Sequence, residues 1–384
     1  MNRAVRMLYP LFVLLACVLP RNKKLWVFGN QKHYFDNTRY FFEHVSGLGD
    51  GVACYWLASN PAEREQVVAL GYSAVLKNSL RGYWLSSRAG FSFTCNGFAD
   101  VNRLLALNSL VISFWHGTPV KKICLDSQHD LMKLGQHPLA IKTARKLLIF
   151  LNRRIDFYYA SNEFERSLVT AATAIPVAKS LALGAPRFDI IRAAQRPANL
   201  PAGNIILYAP TWREQGFNTA DFRLPEAVYD ELTRWLAEHD SYFLVKPHPL
   251  TPPAELAALG LKPSSRVLYA EDLGLTDISP LYAFSDLLIT DLSSSMFDFL
   301  VFDRPLLIFM PDVSSYLAGD RGIYNEFRQM YHSSHVLTSW AGLLDALKHQ
   351  VYPEFPLIQQ VGRVPAAQES AMQLIYSDIQ GRFF

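Results

Sequence analysis

The residues of this chain that could do acid–base or phosphate chemistry recur just after short apolar stretches. The first case lies in "SLVISFWHGTPVKK", Ser109 to Lys122. An uncharged run ends in Trp115 and His116, followed by Gly117, Thr118 and Pro119 and then two lysines. Leu110 to Trp115 reads as a strand buried on both faces, with Gly-Thr-Pro as the turn into a helix. Thr118 would be the N-cap and Pro119 the first helical residue, where a missing N–H costs nothing. His116 is thereby expected at the carboxyl end of a strand, beside a helix terminus that favours anions. An imidazole there can take a proton near neutral pH.

The second half repeats the pattern with phosphate-binding residue types. "LYAPTWRE" sets Thr211 and Arg213 after a strand, where a guanidinium could clamp phosphate oxygens in bidentate fashion. "LVKPHP" holds Lys246 and His248 at another strand end, where Pro247 and Pro249 favour extended backbone. "LLITDLSSSMFDFL" runs from a strand through Asp291 to Ser293, Ser294 and Ser295 and an amphipathic helix, so hydroxyls and free N–H groups could converge on a pyrophosphate. "DRGIY" adds Arg321. Each also has a plain structural reading: an N-cap, a surface ion pair, a solvated strand end. Their shared position at strand carboxyl ends favours a common anionic, nucleotide-like ligand.

Several chemistries lack their motifs. There is no G-x-x-x-x-G-K-[ST] for a P-loop, and no G-x-G-x-x-G follows a strand. No D-x-D occurs, so no metal site and no cofactor are expected, and Arg, Lys, His and helix termini would neutralise a leaving group. Four scattered cysteines form no C-x-x-C pair and suggest a reducing compartment.

The elements that must position these residues follow from composition and periodicity. The chain has 384 residues, half of them hydrophobic, which suits two packed domains. Strands are expected at "LWVFG", "VACYWLA", "YSAVL", "FSFTC", "LVISFW", "DFYYAS" and "KSLALG", and then at "NIILYAP", "YFLVKPHP", "RVLYAE", "DLLIT" and "PLLIFM". Alternating with helical patterns, they predict parallel α/β layers: two Rossmann-like domains facing across a cleft. The expected division is 25–194 and 205–365, with a turn-rich linker at 195–204 and a terminal helix, 366–384, packing back on the first domain.

A net charge of +3 gives no argument for nucleic acid. Charge is local: Val120 to Arg154 holds eight basic residues against two acidic ones. Met7 to Leu19 is an apolar run too short to cross a bilayer, which takes ~20 residues. Arg21, Lys23 and Lys24 follow it, so residues 1–24 read as a monotopic segment on an anionic cytoplasmic leaflet, with a signal-peptide core as the alternative.

Taken in order, "LWVFGNQKHYFDNTRYFFEHV", "WHGTPVKK", "GAPRFD", "YAPTWRE", "KPHP", "ITDLSSSMFDF", "DRP" and "RGIYNEF" resemble the CDP-glycerol glycerophosphotransferase family, the teichoic-acid primases and polymerases of GT-B fold. The resemblance implies a C-terminal domain that binds CDP-glycerol and an N-terminal domain that holds a lipid-linked or polymeric glycan acceptor at the membrane. It carries His116 over as catalytic base and His248 as the second catalytic histidine. Gly117, Thr118, Pro119, Arg187 of "GAPRFD", Thr211, Arg213, Lys246, Asp291, Ser293, Ser294, Ser295 and Arg321 are implied substrate contacts. The expected reaction is attack of an acceptor hydroxyl on the β-phosphorus, releasing CMP. A CDP-ribitol or nucleotide-sugar donor, and a non-catalytic glycan-binding relative, are the alternatives. Two departures fall near the implied donor site: "TDLSSS" where the family reads "TDYSS", and "RGIYNEF" where it reads "RGFYF" and an acid.

Overall fold

The computed structural model describes residues 7–31, 33–213, 217, 219–248, 251, 255, 258–314, 322–331, 334–357, 361 and 369–384. The chain divides into two compact units. One comprises Met1–Thr118, Ile123–Asp189 and Pro365–Phe384, the other Pro119–Lys122 and Ile190–Val364.

The first unit is built on seven parallel strands: β1 (Asn22–Phe28), β2 (Ala53–Ala58), β3 (Ala74–Leu76), β4 (Ala89–Thr94), β5 (Leu110–Ser113), β6 (Phe157–Ala160) and β7 (Ser180–Ala182). Their order is β3-β2-β1-β4-β5-β6-β7, so the winding reverses between β1 and β4. Side chains alternate faces along a strand. On one face Trp26 and Phe28 of β1 pair in register with Phe91 and Phe93 of β4, and the Phe28 and Phe93 rings stack at 4.4 Å. On the other, Leu25, Val27, Leu57, Val111, Tyr158 and Ala160 join a buried aliphatic cluster. Two-sided burial is why these strands read as continuous apolar runs. Gly29 follows β1 because a Cβ there would lie 2.3 Å from the Asp100 carbonyl oxygen.

The second unit has six parallel strands: β8 (Asn204–Ala209), β9 (Ser241–Val245), β10 (Val267–Tyr269), β11 (Leu287–Thr290), β12 (Leu306–Phe309) and β13 (Val336–Leu337). Their order, β10-β9-β8-β11-β12-β13, reverses between β8 and β11. Tyr208, Phe243, Phe309 and Trp340 centre its core. Twelve of the thirteen strands lie at the expected stretches; β13, only two residues long, carries no readable pattern.

Two peripheral helices complete the first unit. Tyr9–Val18 docks through Tyr9, Phe12, Val13 and Ala16 on Tyr83 and Leu105, leaving Leu11, Leu14 and Val18 exposed. Ala371–Phe383 sets Tyr376 against Trp26 and Phe383 against Phe91. Asp189 caps it, accepting from Ala371 N at 3.1 Å and Met372 N at 2.8 Å. Among the described residues no helix is long and apolar enough to cross a membrane.

Candidate functional site

In the first unit the site begins where β5 ends. Phe114 N still donates to the Thr94 carbonyl of β4, and then Trp115 takes a left-handed conformation at φ 55°. That turn brings His116 to the surface with its ring stacked on the Trp115 indole, centroids 4.9 Å apart. Gly117, at φ 137°, supplies backbone that other residues rarely adopt.

The expected helix at Thr118 is absent. The first helical turn is the 3₁₀ segment Cys124–Asp126. Thr118 is buried, and its hydroxyl donates to Glu165 Oε2 at 3.1 Å rather than receiving a helix N–H. Glu165, fully buried, also accepts from Tyr158 Oη at 2.8 Å and from Ser161 N and Oγ at 3.2 and 2.6 Å. Burial and the neighbouring carboxylate push the Tyr158 phenol well above its usual range, so it stays a donor. His116 therefore stands on a polar-backed turn whose supports come from the first turns of other helices, Asn37 of Asp36–Leu48 behind Trp115 and Glu165 of Glu163–Thr173 behind Thr118. Pro119 is buried too, and Pro119–Lys122 belong with the second unit, where Lys121 bridges Ile323 and Lys122 N donates to Gly322 O at 2.9 Å.

Arg187 does not reach outward. It is 3% exposed, its guanidinium lies 4.8 Å from the centroid of the Phe188 ring, and its N–H donates to Asn37 Oδ1 at 3.0 Å. The same Asn37 amide donates from Nδ2 to Trp115 O at 2.9 Å. At the reversal of this sheet, buried Asp100 ties together the ends of β1 and β4, accepting from Gln31 N, Cys95 N and Asn96 N at 2.7–2.9 Å.

In the second unit the polar strand ends converge at the reversal between β8 and β11, the position where open α/β sheets bind ligands. Thr211 N donates to Asp291 Oδ1 at 3.0 Å, and the Thr211 hydroxyl bonds the same carboxylate. Arg213 is not an open phosphate clamp. It is 4% exposed and bidentate to Asp312, Nε to Oδ2 at 2.8 Å and Nη2 to Oδ1 at 3.1 Å, while Nη1 lies 2.8 Å from Asp291 Oδ2. The two carboxylates hold its pKa above the ordinary arginine range despite burial. Lys246 is likewise committed, its ammonium 2.5 Å from Glu271 Oε1.

His248 follows on the same segment and is half-buried. Ser293, Ser294 and Ser295 are half-buried, and Ser293 Oγ donates to Ser295 Oγ at 2.9 Å. The helix they open, Ser295–Phe299, is five residues long, so its terminal field is weaker than a long amphipathic helix would give. Arg321 lies outside the described residues.

Sequence reasoning missed Glu165, Asn37, Asp100, Asp312 and Glu271. Asn37 at least stood inside the "FDNTRY" stretch that carries part of the resemblance. The others are ordinary acidic residues whose partners lie far along the chain or at the far end of a loop.

Two Rossmann-type units on one chain, each with polar residues at strand carboxyl ends, have the architecture of the GT-B fold. Comparison with known proteins narrows the class. The chain belongs to the CDP-Glycerol:Poly(glycerophosphate) glycerophosphotransferase family, whose model matches residues 11–355. The teichoic acid poly(glycerol phosphate) polymerase of Staphylococcus epidermidis is 29% identical over 314 residues, which cover 78% of this chain and 41% of that protein. The chain thus spans less than half the length of that polymerase. The teichoic acid glycerol-phosphate transferase of Staphylococcus aureus is 25% identical over 354 residues, covering 89% of this chain and 87% of the relative. The wall teichoic acid polymerase TagF shares the fold with a TM-score of 0.73 at 24% identity, over 99% of this chain and 94% of that one.

Proposed function

We propose that this chain transfers glycerol phosphate from CDP-glycerol to a hydroxyl of a lipid-linked or polymeric cell-surface glycan, releasing CMP. The observation that carries the reading is the surface position of His116 at the carboxyl edge of the first sheet, on a turn fixed from behind by buried polar groups, in a chain of this family. The acceptor oxygen attacks the β-phosphorus, the bond from that phosphorus to the bridging oxygen breaks, and CMP leaves with the electron pair. His116 takes the hydroxyl proton, a role worth roughly 10²–10⁴-fold in rate. Charge on the departing CMP is met by His248 and the hydroxyls of Ser293, Ser294 and Ser295, in a reaction governed by positioning and electrostatics. Arg213 and Lys246 act one step back: they pair with Asp291, Asp312 and Glu271 and so reduce the repulsion those carboxylates would exert on an incoming anion.

The first unit would meet an anionic membrane at the cytoplasmic face. In support, the helix Tyr9–Val18 exposes Leu11, Leu14 and Val18, and the helix Pro138–Asn152 exposes Leu139, Leu147 and Phe150 among Lys142, Arg145 and Lys146. Such a mixture of apolar and basic residues suits an interfacial position.

The deciding experiment offers purified protein CDP-glycerol, CDP-ribitol and UDP-linked sugars with a glycan acceptor and follows the nucleotide released. CMP from CDP-glycerol, matched by a new phosphodiester, is expected. Release of a nucleoside diphosphate from a sugar donor would overturn the reading in favour of sugar transfer, and binding without turnover would make the chain a glycan-binding protein.

A further inference from the structure

We infer that Asn37 is the positioning residue for His116, an assignment that rests on the reading of His116 as general base. Trp115, immediately before His116, is held at φ 55°, a conformation in which the Cβ of an L-residue crowds the following carbonyl. A bulky aromatic stays there only when its surroundings over-determine it. Upstream, Phe114 N is tied to Thr94 O; at the turn itself, the Trp115 carbonyl receives the Asn37 amide at 2.9 Å.

Asn37 is fully buried in the first turn of the helix Asp36–Leu48, so water does not substitute for it. Its orientation is decided by its other end. Asn37 Oδ1 accepts the backbone N–H of Arg187 at 3.0 Å, which leaves only the NH₂ group to face Trp115 O. One amide thus joins three chain segments, and its direct effect falls on the peptide that aims the imidazole. An aspartate of the same size would still accept from Arg187 N but would turn a carboxylate oxygen toward the Trp115 carbonyl. Asn37→Asp therefore tests the donated hydrogen bond rather than the volume filled.

The experiment compares wild type with Asn37→Asp and Asn37→Ala in CMP release, in KM for CDP-glycerol and in thermal melting. In parallel, diethylpyrocarbonate modification of His116 is timed by mass spectrometry against exposed His137 in the same sample. For Asn37→Asp a kcat loss of about tenfold or more is expected with KM for CDP-glycerol held within about twofold, the pattern of a misplaced catalytic group. The His116 modification rate, relative to His137, should shift in both variants, whereas a residue that only fills space would leave it unchanged. Unchanged His116 reactivity, a kcat within about twofold of wild type, or a rise in KM that accounts for the loss each overturns the proposal. So does a variant that does not fold, which would make Asn37 a determinant of the fold rather than of the turn. If the wild type itself releases no CMP, the transferase reading fails separately, and the modification rates alone decide the role of Asn37.

Discussion

Thr211 and Asp291 close the carboxyl ends of the two strands between which the second sheet reverses, the Thr211 N–H donating to Asp291 Oδ1 at 3.0 Å. Arg213 extends that link to Asp312, so one guanidinium holds two carboxylates inside the unit.

Removing the cation from that cluster should be expensive. Arg213→Met is expected to lower stability by about 3–5 kcal/mol, the usual cost of leaving buried charge unpaired. Asp291 and Asp312 would then lose the guanidinium that both contact. Urea unfolding of variant and wild type reads the loss directly; a difference within about 0.5 kcal/mol would mean that the guanidinium does not hold the unit together.

The two histidines should fail differently. His116→Ala is expected to lower kcat by about 10²-fold or more while leaving CDP-glycerol affinity nearly intact, because its proposed partner is the attacking hydroxyl. His248→Ala should weaken both CDP-glycerol binding and turnover. Calorimetric titration with CDP-glycerol, alongside CMP release at saturating acceptor, separates the two patterns.

Cysteine labelling reports on the amino-terminal helix. Cys17 is exposed, whereas burial pushes the Cys54 and Cys124 thiols up to about 12 and Cys95 well above its usual range. Below that pH these three remain thiols, so iodoacetamide near pH 8 should label Cys17 first and the others only on unfolding. Anionic vesicles should slow the labelling of Cys17, and salt should restore it, since basic Arg21, Lys23 and Lys24 follow the helix. Protection that ignores lipid charge would argue against docking through this helix.

Asp189→Ala should loosen the carboxyl-terminal helix. Loss of a side chain that accepts two of its first N–H groups is expected to cost about 0.5–2 kcal/mol. Hydrogen exchange should rise over Ala371–Phe383 before it rises in β1 or β4, and equal exchange in variant and wild type would remove Asp189 from this role.

The legible part of the fold was the local part. Twelve strands could be placed because burial on both faces leaves a run of apolar residues that needs no knowledge of its neighbours. The histidines and the phosphate-binding residue types at strand ends were legible for the same reason, since a strand's end is visible as the point where the apolar run stops. β13 escaped because two residues make no pattern, and the helix expected at Thr118 is absent because the residues after it pair instead with Gly322, Ile323 and Tyr324, a contact that no local pattern reveals.

By itself the sequence determined the two α/β layers, the family motifs and their order, since periodicity and side-chain type are properties of neighbouring residues. Only the tertiary structure decided what those side chains touch. Arg213 has the chemistry of a phosphate clamp, but Asp312, 99 positions away in the chain, occupies its fork. Thr118 turns to Glu165, and Asn37 holds both Trp115, 78 positions on, and Arg187, 150 positions on. A buried polar group must find a partner or bear the cost of desolvation, and which partner comes within 3 Å is set by how distant segments pack.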